Sequence, residues 1–219
     1  GLHVFSTSSL LDDSWYNRAF WMYAKRWPGF QLANQALKSG QILMVDDSTT
    51  YAVGVFYRRN RHSTMFFPER EGYLLFADKN TNEPQIVGEE GARPPVEWLP
   101  QSSYESSSGL AELDKPAFGE DKGVGYTRAE APLWMTWLPV RMKAMVKAGD
   151  RIYAAGEPDL LPEDDPYAAF EGRLGARLVT VSAKDGTELG VQELDTPPVF
   201  DGMIAARGRL FLTLQDGSV

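Results

Sequence analysis

Apolar and polar positions follow one another in short runs along this chain, and few windows repeat at the spacing of a helix. Residues 18–26, which are rich in aromatics, are the best helical candidate. The segments with strand composition are Leu2–Ser6, Ile42–Asp46, Thr50–Tyr57, Tyr73–Ala77, Val140–Lys147, Arg151–Ala155, Arg177–Ser182, Glu188–Leu194, Met203–Ala206 and Leu210–Leu214. Turns that contain Asp, Asn or Gly separate them. Many short strands joined by such turns predict an all-β fold.

An internal repeat sharpens this prediction. Met145–Ala154 aligns with Met203–Leu212 at a constant offset of 58 residues. Leu178–Thr187 also resembles Leu74–Thr81. The repeating unit is therefore strand, turn, strand, connection, strand, turn, strand, and four antiparallel strands per unit indicate the blade of a β-propeller.

A third copy of the first half of this unit lies near the N-terminus. Met44-Val45 followed by Tyr51–Gly54 matches Met145-Val146 followed by Tyr153–Gly156, with one residue fewer in the turn. The alignment predicts that all three segments form hairpins of one kind.

The strands amount to about three four-stranded blades in one domain, residues 1–219. Residues 42–90 and 140–194 form one blade each, residues 203–219 form half a blade, and Leu2–Ser6 with the segment after it finishes another. Closed propellers have about 4–8 blades. A partial propeller exposes strand edges, so we expect a homo-oligomer, most simply a dimer of about six blades in which residues 203–219 meet Leu2–Ser6 of a second copy.

Two polar, proline-rich insertions interrupt the predicted blades at residues 84–139 and 157–173. The first holds seven of the 14 prolines. Such runs are typical of solvated surface loops. A lid or a loop that docks a partner is the alternative.

Charge and composition exclude several classes of function. The 219 residues carry 22 Lys and Arg against 30 Asp and Glu, a net charge of -8, which disfavours nucleic-acid binding. Zero cysteines exclude disulfides, thiolate metal sites and cysteine nucleophiles. No apolar run is long enough to span a membrane. The sequence as given shows no signal peptide, so we expect a cytoplasmic location if it is expressed in this form.

The last unit resembles a known family. Arg177–Leu189 looks like the repeat of pyrroloquinoline-quinone (PQQ) propellers, and Asp195–Met203, Gly208–Phe211 and Asp216–Val219 resemble the closing blade of PQQ-like propeller proteins. Leu11–Trp21 is also similar to their C-terminal portion. The resemblance implies a β-propeller related to large exported bacterial proteins, most of which have no assigned activity.

The sequence departs from the pattern of working quinoproteins. Asp185-Gly186-Thr187 lacks the Thr-Gly pair of the family's turn, and no Trp follows it to dock the next blade. The cysteine pair beside the cofactor of the alcohol dehydrogenases is also missing. We therefore expect a binding or scaffold module without bound PQQ.

Paired aspartates suggest a metal-assisted hydrolase as the alternative function. Asp12, Asp13, Asp46 and Asp47 lie at predicted strand or turn ends, and with Asn17 they offer the oxygen ligands that Ca²⁺ prefers. Such a metal would polarise a phosphoryl, ester or lactone oxygen. The competing interpretation is that each aspartate accepts hydrogen bonds from the amides of its own turn.

The candidate base for that hydrolase is His62. It lies in the basic stretch Tyr57–Ser63, where Arg58 and Arg61 would favour its neutral form and hold an anionic substrate. His62 and Asp13 are therefore the candidate catalytic residues. A charged hairpin loop without catalytic function is the alternative.

Aromatic residues between positions 15 and 27 suggest a third function, carbohydrate or small-molecule binding. Trp15 and Trp21, with Arg18 between them, could stack on a sugar ring or bind an apolar ligand. The same residue types are also enriched in protein interfaces and cores.

Overall fold

The structure, a computed structural model, describes residues 1–6, 21–25, 38–54, 73–83, 85–86, 90–94, 126–127 and 130–219. All regular secondary structure in these residues is β-strand, so the predicted all-β class is confirmed. The strands are β1 (His3–Ser6), β2 (Trp21–Ala24), β3 (Ser39–Gly40), β4 (Ile42–Val45), β5 (Thr49–Gly54), β6 (Tyr73–Lys79), β7 (Gln85–Ile86), β8 (Tyr126–Thr127), β9 (Trp134–Leu138), β10 (Val140–Ala148), β11 (Arg151–Pro158), β12 (Ala176–Ser182), β13 (Glu188–Leu194), β14 (Pro198–Ala206) and β15 (Arg209–Leu214).

The strands form sheets in which neighbours in space are mostly neighbours in sequence. Two sheets have four strands, in the orders β4-β5-β6-β9 and β10-β11-β12-β13. A three-stranded sheet has the order β1-β2-β3, and β7-β8 and β14-β15 are two-stranded. The pairings are antiparallel, as short turns between consecutive strands require.

Three sequence-based boundaries need correction. The best helical candidate contains a strand, β2, because residues 21–24 pair with β1 and β3. The fourth strand of the first four-stranded sheet is β9, which lies inside the predicted 84–139 insertion rather than within residues 42–90. The second insertion begins later than predicted, since Glu157 and Pro158 still belong to β11.

The chain divides into two compact units. The first comprises residues 1–66 and 76–133, and the second comprises residues 67–75 and 134–219. Buried apolar side chains of the first unit include Met22, Ala24, Ile42, Tyr51, Ala52 and Val53. Those of the second include Met142, Met145, Ile152, Ala154, Val179 and Val181.

The sequence repeat corresponds to two hairpins with the same register. In β10–β11, Met145 is paired with Ala154, and in β14–β15, Met203 is paired with Leu212. The 58-residue offset therefore holds on both strands, which confirms the prediction that both segments are adjacent antiparallel strand pairs. A two-residue turn closes the second hairpin, where Arg207 and Gly208 have φ angles of 50° and 73°, the positive values that a type I′ turn needs.

The third hairpin, β4–β5, corrects one part of the repeat alignment. Its structure pairs Met44 with Tyr51, whereas Tyr153 of the second hairpin pairs with Val146. If the tyrosines are equivalent, Met44 corresponds to Val146 and not to Met145. The equivalent of Met145 is then Leu43, because the first strand of the alignment shifts by one residue.

The two register-matched hairpins of the second unit pack face to face. Ala144 and Ala155 of β10–β11 form a buried cluster with Met203 of β14. Partly buried side chains packed against this cluster are Val146, Tyr153, Leu178, Leu210 and Leu212. One hairpin thus covers an apolar face of the preceding one.

Candidate functional site

The turn between β4 and β5 holds two of the predicted metal ligands, Asp46 and Asp47. Asp46 Oδ1 accepts hydrogen bonds from the backbone N–H groups of Ser48 at 3.0 Å and Thr49 at 2.8 Å. The Tyr51 hydroxyl donates to Oδ2 at 3.4 Å. Burial raises the pKa of Tyr51, and the nearby Asp46 charge raises it further. The Asp46 carboxylate therefore accepts hydrogen bonds from the amides of its own turn, as the structural alternative to metal binding predicts.

A network of polar side chains that the sequence did not suggest holds this turn in place. Asn80 donates from Nδ2 to the Asp46 carbonyl at 2.7 Å and accepts from the Thr50 hydroxyl at 2.7 Å. The Lys38 ammonium, whose side chain is fully buried, donates to the Asn80 carbonyl at 2.8 Å and to Glu83 Oε1 at 2.5 Å. A buried ammonium with an ion-pair partner and a carbonyl acceptor serves the structure of this turn.

Of the remaining predicted site residues, the structure describes Trp21. Trp21 begins β2, where it is half-buried and paired with Ser6 and Gly40. The others lie outside the described residues and stay predictions: Asp12, Asp13, Trp15, Arg18, Arg58, Arg61 and His62. In the part of the chain that the structure describes, no group of three or more His, Asp or Glu side chains is placed to hold a metal ion.

One face of the β14–β15 hairpin carries an exposed apolar pair. Ile204 and Phe211 are directly paired across the two strands, and they are 61% and 38% exposed. Arg209 and Thr213 lie on the same face, since side chains two residues apart on a strand point to one side. We call these four residues the Ile204 face. Sequence reasoning missed it, although the repeat alignment already placed Ile204 and Phe211 at the positions of Val146 and Tyr153.

The turns of the two stacked hairpins border a small cleft with a volume of about 240 Å³. Its lining includes Tyr153 of β11, the turn residues Arg207 and Gly208, and Arg209 at the start of β15. Arg207 and Arg209 place two positive charges at this end of the β14–β15 hairpin. The cleft therefore adjoins the Ile204 face and gives that end of it a positive charge.

A buried ion pair lies on β10 and β11, on the side that the β14–β15 hairpin covers. Lys143 Nζ lies 2.7 Å from Glu157 Oε1, and the Glu157 side chain is 2% exposed. The register shifts between Met142 and Ala144, so Lys143 is the extra residue of a β-bulge. The bulge brings the Lys143 ammonium to the carboxylate. Beside the pair, the Arg141 guanidinium stacks over the Phe170 ring at 4.4 Å.

Comparison with known proteins does not assign this chain. No protein-family model matches it, and no curated protein matches it. Among the described residues, no helix is long and apolar enough to cross a membrane.

Proposed function

We propose that this chain is a binding or scaffold module of the β-propeller type, related to the PQQ-like propellers and working without bound PQQ. The observation that carries the proposal is the pair of register-matched hairpins, one stacked on the other. Stacking of repeated antiparallel units is the construction principle of propellers. The resemblance of Arg177–Leu189 and Asp195–Met203 to PQQ-like repeats supports the same class.

The surfaces favour binding over catalysis. An apolar pair, Ile204 and Phe211, is exposed on the β14–β15 hairpin, and exposed apolar patches mark interaction sites. The Asp46 carboxylate, one of the candidate metal ligands, already accepts hydrogen bonds from its own turn. Exposed apolar surface is thus present for a partner, whereas Asp46 of the predicted hydrolase site is engaged in its own turn.

A hydrolysis assay tests this proposal against the metal-assisted hydrolase. A binding module turns over neither activated esters nor phosphotriesters, with or without Ca²⁺. The hydrolase predicts turnover that a chelator abolishes and that His62→Ala and Asp13→Ala each remove. Chelator-sensitive turnover lost in both variants would overturn the scaffold role.

Two further measurements test the ligand side of the proposal. Mixing the protein with PQQ and Ca²⁺ should yield no dye-linked alcohol oxidation, because the Thr-Gly pair, the docking Trp and the cysteines of the quinoproteins are missing. Titration with glycans tests the carbohydrate alternative, which predicts quenching of tryptophan fluorescence that is lost in Trp15→Ala or Trp21→Ala.

A further inference from the structure

We propose that the cleft between the turns of the β10–β11 and β14–β15 hairpins binds a small organic carboxylate, whose charged end is held by Arg207 and Arg209. The inference rests on the proposed binding role and names a class of ligand for it. Every residue that lines the cleft belongs to the second unit.

The shape and lining of the cleft give the first step. Its volume of about 240 Å³ is below the roughly 300 Å³ at which pockets for drug-sized ligands begin. Tyr153 and Leu210 also pack against the buried cluster around Met203, so the core fixes this part of the wall. The cleft therefore fits a small ligand with an apolar body. Apart from Gly208 and the two arginines, the lining residues are Ala148, Tyr153, Ala205, Ala206 and Leu210.

The repeat gives the second step, because it shows how the charge at this turn differs from that of the preceding hairpin. At the offset of 58 residues, Gly149-Asp150-Arg151 correspond to Arg207-Gly208-Arg209. In the first turn, Arg151 Nε lies 3.9 Å from Asp150 Oδ1, so an acid accompanies the arginine. The second turn has glycine in place of that aspartate and one arginine more. Both of its charged side chains are therefore positive.

The third step is that these two guanidinium groups are available to a ligand. Other basic side chains of the second unit form ion pairs, such as Lys143 with Glu157 and Arg177 with Glu193. Among the described residues, no acidic side chain lies within ion-pair distance of Arg207 or Arg209, and both arginines are exposed. A carboxylate matches the planar fork of a guanidinium with two parallel hydrogen bonds.

The backbone of Arg207 supports the same assignment. Its φ angle is 50°, a conformation that side chains other than those of Asn and Asp rarely adopt, and type I′ turns favour Asn or Gly at this position. The equivalent residue of the preceding hairpin is Gly149, with a φ angle of 61°. An arginine at a position that disfavours it is explained if its side chain is needed in the cleft, since strain of this kind is concentrated at functional sites.

An NMR titration of the isotope-labelled protein with sodium benzoate tests the site. We expect saturable shifts of the backbone amides of Tyr153, Gly208 and Leu210. Benzamide keeps the shape without the charge, and inorganic phosphate keeps a charge without the apolar body. Each should bind about tenfold more weakly or worse, because a hydrogen bond to a charged group is worth about that factor. Benzoate shifts that never saturate would overturn the proposal, and tighter binding of phosphate would exclude the apolar part of the ligand.

A pair of equivalent arginines provides the matched control. Arg209→Gln should weaken benzoate binding about tenfold, because it removes one of the two charges that face the ligand. Arg151→Gln changes the corresponding residue of the preceding hairpin, which does not line the cleft, and should leave the affinity unchanged. Equal effects of the two substitutions would show that benzoate responds to overall charge and not to this cleft.

Arg207→Asn separates ligand binding from a structural role. Asn is favoured at this turn position, so the variant should unfold in urea at the same concentration as the wild type or at a higher one. It should nevertheless lose benzoate affinity about tenfold. Unchanged affinity, or a loss of stability together with the loss of affinity, would contradict the assignment. These readouts measure carboxylate binding, so hydrolytic activity would overturn the proposed function without affecting this test.

Discussion

Met145 and Met203 occupy the same register position in two stacked hairpins of the second unit. Each is paired across its hairpin with the residue nine positions later, Ala154 or Leu212. Both methionines are buried, at 4% and 5% exposure. A single sequence pattern is thus used twice to build the core of this unit, and its second use packs against the first.

Shortening Met203 should destabilise the second unit. Met203→Ala removes a buried side chain that packs on Ala144 and Ala155, and such changes cost about 2–5 kcal/mol. Urea unfolding measures the loss. Leu189→Ala, at a residue that is 52% exposed, is the control and should change the free energy of unfolding by about 0.5 kcal/mol or less. Equal effects of the two substitutions would show that Met203 is not part of the core.

Gly156 should tolerate no side chain. A Cβ there would lie 1.7 Å from the Arg141 carbonyl oxygen, so the backbone of β10 would have to move. Gly156→Ala should cost about 1–3 kcal/mol or more in thermal or urea unfolding. Gly190→Ala is the matched control, because a Cβ at Gly190 meets nothing within 4 Å. A Gly156→Ala protein as stable as the control would contradict the close approach of β10 to β11.

Breaking the buried ion pair should cost more than removing it altogether. Lys143→Met leaves the Glu157 carboxylate, 2% exposed, without its ammonium partner, and such a change costs about 3–5 kcal/mol. The double variant Lys143→Met with Glu157→Met replaces both charges by apolar groups of similar size and should recover most of that loss. A double-mutant cycle measures the difference. A single variant as stable as the wild type would show that the pair is dispensable.

The Asp165–Arg173 pair should be visible in the pH dependence of the second unit. A hydrogen bond from Arg173 is the main cause that holds the pKa of Asp165 below its usual value. A folded-state pKa below the unfolded one adds stability above the ordinary Asp pKa, and the contribution disappears as the pH falls through the lowered value.

Arg173→Gln tests this linkage. NMR titration should show the pKa of Asp165 moving up towards its ordinary value in the variant. Asp185 is the internal control, because the pKa of its carboxyl is lowered by Ser182 and Thr187 and does not depend on Arg173. An Asp165 pKa unchanged by Arg173→Gln would assign the lowering to another group.

Much of the strand content could be predicted from local patterns. Glu188–Leu194 coincides with β13, and turns such as Asp185-Gly186 end their strands where expected. Strand β9 was missed because Trp134–Leu138 lies in a proline-rich stretch. Its place beside β6 depends on pairing with a strand more than fifty residues earlier in the chain, which local composition does not record.

For the candidate site at Asp46, too, local sequence supplied one part of the answer and long-range contacts supplied the other. The sequence suggested that Asp46 either binds a metal or caps its turn, and it could not choose, because both roles use the same residue at the same position. The path of the turn places the backbone amides that donate to the Asp46 carboxylate. The turn is also held by Asn80, which in turn is bonded by Lys38, the ion-pair partner of Glu83, and these contacts join residues far apart in the chain. Nothing in the sequence around Lys38 marks it as buried.

The sequence by itself determined the all-β class and the hairpin repeat, because both depend on period-two alternation and on Asp/Gly turns that act within a few residues. Tertiary structure decided which face of each hairpin is covered. Val146 and Ile204 are equivalent in the repeat, yet the first packs against the next hairpin and the second is 61% exposed. Burial depends on what lies opposite a strand in space, and a residue pattern repeated along the chain cannot specify whether that neighbour is present.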